Sequence, residues 1–255
     1  MSSENWILGD KRVVVLGASR GVGREIVQRA SAEGARVLAV ARKERGLAEL
    51  TRSMHGVKTL ALDAATEAAP REVFRESRPD LLVICGGASP LIRTIPELTW
   101  AEFCLNWEVD TKMAFLFCRE ALLAPLAPGS VVVIISSGAG FGGGAPNSGS
   151  YAGAKRMQMF IAKYCQAESD RRELGIRFVA LVPTRVMPET DLGQVAVNCH
   201  AQDLGITAEE FLKNLPPSRL SPIKVAEAVL DIAKKPPEEP GSIFTISPDG
   251  IAAAS

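Results

Sequence analysis

The chain has 255 residues, 47% of them apolar and 23% charged, which suits one large soluble domain with a full core. Lys+Arg and Asp+Glu balance at 29 each, so the excess of positive charge expected of a nucleic-acid binder is missing. No apolar run approaches the ~18–20 residues needed to span a bilayer, the Met1–Trp6 start has no secretory pattern, and five scattered cysteines without C-x-x-C spacing predict reduced thiols in a cytoplasmic protein.

In chain order, apolar strand-like runs alternate with helix-period segments. Strands are predicted at 12–17, 36–41, 57–63, 81–86, 130–137, 176–182 and 242–247, and helices near 22–33, 44–54, 67–77, 100–124, 151–173 and 222–235. Continuous apolar strands joined by helical crossovers predict an α/β, doubly wound, seven-stranded parallel sheet covered on both faces, in a single domain. The first strand, Val13-Val14-Val15-Leu16, ends in Gly17-Ala18-Ser19-Arg20-Gly21-Val22-Gly23 and runs at once into a helical pattern. A buried strand, a glycine turn and a helix N-terminus together place backbone amides and the positive end of a helix dipole where a dinucleotide pyrophosphate binds. After the second strand, where NAD-binding folds usually place an acid for the ribose 2′-hydroxyl, the sequence reads Ala41-Arg42. A guanidinium suits a 2′-phosphate, so NADP is expected, with Arg20 as a second arm.

Further along, Tyr151 and Lys155 share one face of a helix at i, i+4 spacing. A nearby ammonium stabilises phenolate and brings a tyrosine toward acid–base duty. Ser136-Ser137 closes the strand before it, and the glycine-rich segment 138–150 connects the two. Residues 184–220, with Pro188, Pro216 and Pro217 around one short helix at 207–215 capped by Thr207, are expected to form a substrate lid.

Other features carry no chemistry. Two histidines far apart, His55 and His200, make no metal site. Cys199-His200 are adjacent and face poorly for nucleophilic work. Trp100 and Trp107 are expected to pack a helix against its neighbour, and Arg171-Arg172 to form a solvated helix end.

With these residues in view, the chain resembles the short-chain dehydrogenase/reductase family over nearly its whole length, of the NADP-preferring type. The likeness rests on Gly17-x-x-x-Gly21-x-Gly23, on Asp63-Ala64 after the third strand, on Ser137, Tyr151 and Lys155, and on the tail with Arg219, Pro222, Val225-Ala226 and Pro248-Asp249-Gly250. The resemblance implies a Rossmann-type fold and NADP(H) held by Gly17, Ser19, Arg20, Gly21, Val22, Gly23, Arg42, Asp63, Ala64, Gly86, Gly87, Tyr151, Lys155, Pro183 and Val186. It implies no metal, a small carbonyl or secondary-alcohol substrate, and a homo-oligomer, tetramer or dimer, packed through the two helices around 113–117 and 157–161. Tyr151 would be the general acid/base, Ser137 the orienting hydroxyl and Lys155 the cation, with Asp110 anchoring a water.

The sequence departs from the family pattern in three places. The family's Asn-Asn-Ala-Gly reads Ile84-Cys85-Gly86-Gly87, its Pro-Gly reads Pro183-Thr184, and the helix asparagine of its proton relay is Asp110. The Ser137–Tyr151 gap is one residue longer than expected, which leaves Ser136 as an alternative serine. Two other readings stay open: a non-catalytic NADP-binding regulator on the same fold, and an epimerase or dehydratase that returns the hydride to its substrate. The 121–126 stretch offers no basic surface for a carrier-protein substrate.

Overall fold

The computed structural model describes residues 8–54, 56–142, 145–234 and 242–254; His55 and the Met1–Trp6 stretch lie outside them. The strands are β1 Arg12–Leu16, β2 Arg36–Ala41, β3 Val57–Ala61, β4 Leu81–Ile84, β5 Val131–Ile135, β6 Arg177–Pro183, β7 Ile243–Ser247 and β8 Gly250–Ala253. They form one sheet in the order β3-β2-β1-β4-β5-β6-β7-β8. Every pair is parallel except β7–β8. The expected seven-stranded parallel sheet is therefore present with one antiparallel edge strand added. Its chain reversal is the Pro248-Asp249-Gly250 turn, just past the predicted end of the last strand at 247.

The helices are α1 Gly21–Ala32, α2 Glu44–Ser53, α3 Ala69–Glu76, α4 Trp100–Asn106, α5 Lys112–Leu123, α6 Gly149–Arg171, α7 Asp191–Leu204, α8 Ala208–Asn214 and α9 Pro222–Lys234. Alternation along β1 sorts the core onto the two faces. Val13 and Val15 pack with α1 and α9, while Val14 and Leu16 pack with α3, α5 and α6. Strands buried on both faces explain the unbroken apolar runs at 13–16, 81–84 and 131–135.

Three features differ from the expected elements. The single helix expected over 100–124 is broken by a π-helical turn, Trp107–Thr111, between α4 and α5. The 184–220 excursion holds two helices, with α7 added ahead of α8. Thr190 caps α7 by accepting from the Gly193 amide, and Gly205 closes it in the left-handed conformation. The rings of His200 and Phe211, 5.5 Å apart, stack α7 on α8. Trp107 packs over Gly153 of α6 as expected, but Trp100 is 77% exposed and only stacks on Phe103.

Because β1 and β4 are neighbours while β2 and β3 lie beyond β1, the chain changes direction between β1 and β4. Such a switch point opens a crevice at the carboxyl ends of the strands. The loops after β1, β4, β5 and β6 all converge there.

Candidate active site

A cleft of about 680 Å³ lies over this edge of the sheet, within the size range of ligand sites. Its first part is built from the β1–α1 turn. The Gly17 and Ala18 amides both donate to the Val40 carbonyl, at 2.9 and 3.1 Å, which ties the turn to β2. Gly17 sits at φ +79°, and a Cβ there would lie 2.6 Å from the Gly86 Cα, so only glycine lets the turn and the β4 loop approach this closely. Arg20 precedes α1 in extended conformation and makes no side-chain cap, and no acid occupies the first turn. Among the described residues no acidic side chain occupies or caps the opening turn of α1, and this donor set fits a pyrophosphate.

Gly17, Ser19, Arg20, Gly21, Val22, Arg42, Asp63, Ala64, Gly86, Gly87, Asp110, Ser137, Tyr151, Lys155, Pro183 and Val186 all line this one cleft. Gly23 does not. It lies beneath the turn, where a Cβ would meet the Gly17 carbonyl oxygen at 2.3 Å. Arg42 is exposed at the end of β2. Asp63 closes a local turn, its carboxylate accepting from the Ala65 amide at 3.0 Å. Arg20 is paired with Asp191 at the start of α7, an interaction invisible in the sequence.

The second part of the cleft is the wall formed by α6, the π-turn and the end of β5. Ser136 and Ser137 have different employment. The Ser136 hydroxyl is buried and donates to the Lys155 carbonyl at 2.7 Å. The Ser137 hydroxyl accepts from the Ala139 amide at 3.2 Å. The Lys155 ammonium lies 5.5 Å from the centre of the Tyr151 ring, and both side chains are buried. That ammonium donates to the Ile135 carbonyl at 3.3 Å and to Gln158 Oε1 at 3.1 Å.

Asp110, at the π-turn, is fully buried. Its Oδ1 accepts from the Ala88 amide at 2.8 Å and from Asn106 Nδ2 at 3.4 Å, which fixes the loop after β4. Its Oδ2 lies 3.3 Å from Lys155 Nζ as a charge contact without hydrogen-bond alignment. Burial pulls the Lys155 ammonium toward its neutral form, but the close contact with the Asp110 carboxylate and the negative charge of Tyr151 when it is a phenolate outweigh it, and the net pKa is raised. Gly87 is the one residue of the family's Asn-Asn-Ala-Gly that the chain keeps, and a Cβ there would lie 2.7 Å from Asp110 Oδ2. Desolvation pushes the neighbouring Cys85 thiol up to about 11, so it stays protonated at neutral pH.

Residues of α7 also reach the cleft, among them Asp191, Leu192, Val195, Cys199 and His200. The sequence predicts a lid here with a single short helix at 207–215; the Thr190 cap and the Gly205 stop are the signal for the second. Cys199 donates its thiol to the Pro146 carbonyl while His200 stacks on Phe211, so the two do not form a nucleophile pair. Gln158 and Asn106 were missed altogether. Among the described residues no cluster of three or more His, Cys, Asp or Glu is arranged to hold a metal, and no helix is long and apolar enough to cross a membrane.

Comparison with known proteins gives a consistent picture. The family model described as short chain dehydrogenase matches residues 11–197. L-xylulose reductase of Bos taurus is 31% identical over 192 residues, covering 74% of this chain and 76% of that protein. D-erythrulose reductase of Gallus gallus is 26% identical over 200 residues, covering 72% and 74%. Among solved structures, a 3-ketoacyl-(acyl-carrier-protein) reductase from Brucella melitensis complexed with NADH superposes with a TM-score of 0.76 at 21% identity, over 94% of this chain and 96% of that one. At that identity the likeness is one of fold.

Proposed function

Because the chain belongs to the short-chain dehydrogenase family, and so to a family of nicotinamide-dependent oxidoreductases, we propose that it reduces a small carbonyl substrate with NADPH. The observation that carries this reading is the gathering of Ser137, Tyr151 and Lys155 on one cleft with the uncapped start of α1. When bound, the coenzyme would supply the hydride, and the α1 amides would hold its pyrophosphate and Pro183 and Val186 its nicotinamide. Tyr151 donates a proton to the carbonyl oxygen, and the Ser137 hydroxyl, free of the structural bond that occupies Ser136, orients that oxygen. The Lys155 ammonium stabilises the phenolate left behind. No metal is needed, because these donors meet the charge that develops on oxygen.

Arg42, exposed at the end of β2 where an acid would favour NAD, supports NADPH. The names of the two relatives favour hydroxy-ketone substrates of sugar size. The 184–220 excursion, with α7 and α8, serves as the lid over the cleft, with Asp191, Leu192 and Cys199 as its inner face. Phe115, Phe160 and Tyr164 are each more than half exposed on α5 and α6, which supports a homo-oligomer packed through those helices.

The test is to follow NADPH and NADH oxidation over ketoses, diketones and cyclic ketones, with Tyr151→Phe alongside. Turnover that favours NADPH and drops by about 10²–10⁴-fold in the variant is expected for loss of a general acid. The second reading, a coenzyme-binding protein without turnover, is favoured by one observation: Asp110 offsets the charge that Lys155 offers Tyr151. NADPH binding with no oxidation on any substrate would establish it instead.

A further inference from the structure

Lys155 is held by an arrangement that its own helix cannot supply alone. Gln158, one turn further along α6, is completely buried and uses both ends of its amide. Its Oε1 accepts from Lys155 Nζ at 3.1 Å, and its Nε2 donates to the backbone carbonyl of Asp110 at 3.0 Å. The amide therefore bridges the ammonium to the π-turn, the one place where the α4–α5 rod departs from regular backbone bonding. A buried glutamine is costly unless its polar atoms are satisfied, and both ends of this one are.

The bridge matters because Lys155 has a competing partner. Asp110 Oδ2 lies 3.3 Å from Nζ, yet the contact lacks hydrogen-bond alignment. The ammonium's aligned bonds go instead to the Ile135 carbonyl and to Gln158. The two neutral acceptors thus set where the ammonium points its N–H groups, beside a carboxylate already at ion-pair distance. The titratable groups acting on Lys155 are Tyr151 on its own helix, Asp110 from the π-turn and Cys85 from the end of β4, and the last is a neutral thiol.

We propose that Gln158 is a positioning residue for Lys155, its amide tying the ammonium to the Asp110 backbone carbonyl so that the positive charge stays beside Tyr151 and does not collapse onto the Asp110 carboxylate. The role deepens the reading of Tyr151 as the acid–base group and rests on it. Removing the amide releases the ammonium toward Asp110, and the phenolate of Tyr151 loses part of its counter-charge. Replacing the amide by a carboxylate goes further, cancelling the charge at its source.

The chain has two tyrosines, and Tyr164 is exposed on α6, stacked on Phe160. In a Tyr164→Phe background the near-ultraviolet absorbance of phenolate therefore reports Tyr151 alone, with or without turnover. Gln158→Met keeps the volume of the side chain and removes the amide. It should move the Tyr151 titration upward by about 0.5–1 pH unit, the scale of a partly lost neighbouring charge. Gln158→Glu keeps an acceptor for Lys155 and should move it further in the same direction. Folding of each variant is checked by circular dichroism, and the Glu variant carries the test should the Met variant not fold. In the oxidative direction the acid limb of kcat should follow the titration while the KM for the alcohol changes less than twofold. A Tyr151 midpoint unmoved in a folded Gln158 variant would overturn the proposal. Wild-type protein without turnover would overturn the reductase reading, while the absorbance titration would still decide the role of Gln158.

Discussion

Two ion pairs border the same cleft, and they are made by different physics. Lys155 and Asp110 are buried, with side chains 7% and 1% exposed, and each is held by further bonds to backbone or amide groups. Arg20 and Asp191 are 64% and 73% exposed. A buried pair fixes geometry, because separating its members leaves a charge in a poor solvent. An exposed pair competes with water and salt and contributes about 0–1 kcal/mol. The wall that holds Tyr151 is thus rigid, while the contact between the coenzyme turn and α7 is one that a ligand can replace.

The largest effect is expected from breaking the buried pair. Asp110→Ala strips Lys155 of its counter-ion, leaves the Ala88 amide without its acceptor, and should destabilise the protein by about 3–5 kcal/mol in denaturant melts near neutral pH. The Lys155 pKa is raised in the folded protein, so its charge contributes stability fully below the unfolded value of about 10.4 and loses it as pH rises through the folded value. The difference between wild type and Asp110→Ala should accordingly shrink in strongly alkaline melts. Asp110→Asn keeps the shape and removes the charge. It relieves the offset on Lys155, favours the Tyr151 phenolate, and should shift the acid limb of alcohol oxidation to lower pH. An unchanged profile would mean that the Asp110 charge does not reach the tyrosine.

Arg42 makes the intermediate case, since it faces the cleft without the burial that stiffens Lys155. Arg42→Leu should raise the KM for NADPH by about 10- to 100-fold, the ~1.5–3 kcal/mol of a charge-assisted hydrogen bond. The KM for NADH should barely move. An equal loss with both coenzymes would take the 2′-phosphate away from this residue.

How much of this was legible in the sequence follows from the range of the interactions involved. The Gly17–Gly23 turn, Arg42, and the Tyr151–Lys155 pair are local patterns, and spacing alone carries them. The doubly wound sheet was equally plain, because strands buried on both faces leave unbroken apolar runs. β8 was not, because Gly250–Ala253 is exposed throughout and shows no alternation. α7 was hidden by its composition: its buried positions are Gly193, Val197, Cys199 and Ala201, a stripe too small-sided to stand out, and only its caps marked it. The π-turn is a matter of backbone bonding, with no residue signature. Gln158 was the hardest, since its partner at Asp110 is 48 residues away and is a carbonyl that any residue would present.

The smallest effect belongs to the exposed pair, and it is the most instructive for coenzyme choice. Arg20 was expected as a second arm for the 2′-phosphate, yet its guanidinium meets Asp191 across the mouth of the cleft. If a 2′-phosphate takes Arg20, it must displace that carboxylate, and a doubly charged anion accepting bidentate bonds outcompetes a half-solvated carboxylate. Asp191→Asn removes the competitor, so the KM for NADPH should fall by about two- to fivefold, within the ~1 kcal/mol that an exposed pair carries. Stability should change by less than that, because both side chains remain solvated. The gain should shrink as salt rises, since screening weakens pair and phosphate contact alike. A lower KM for NADH in the same variant would point to easier opening of α7 in place of a freed arginine, and would make the pair a latch on the lid.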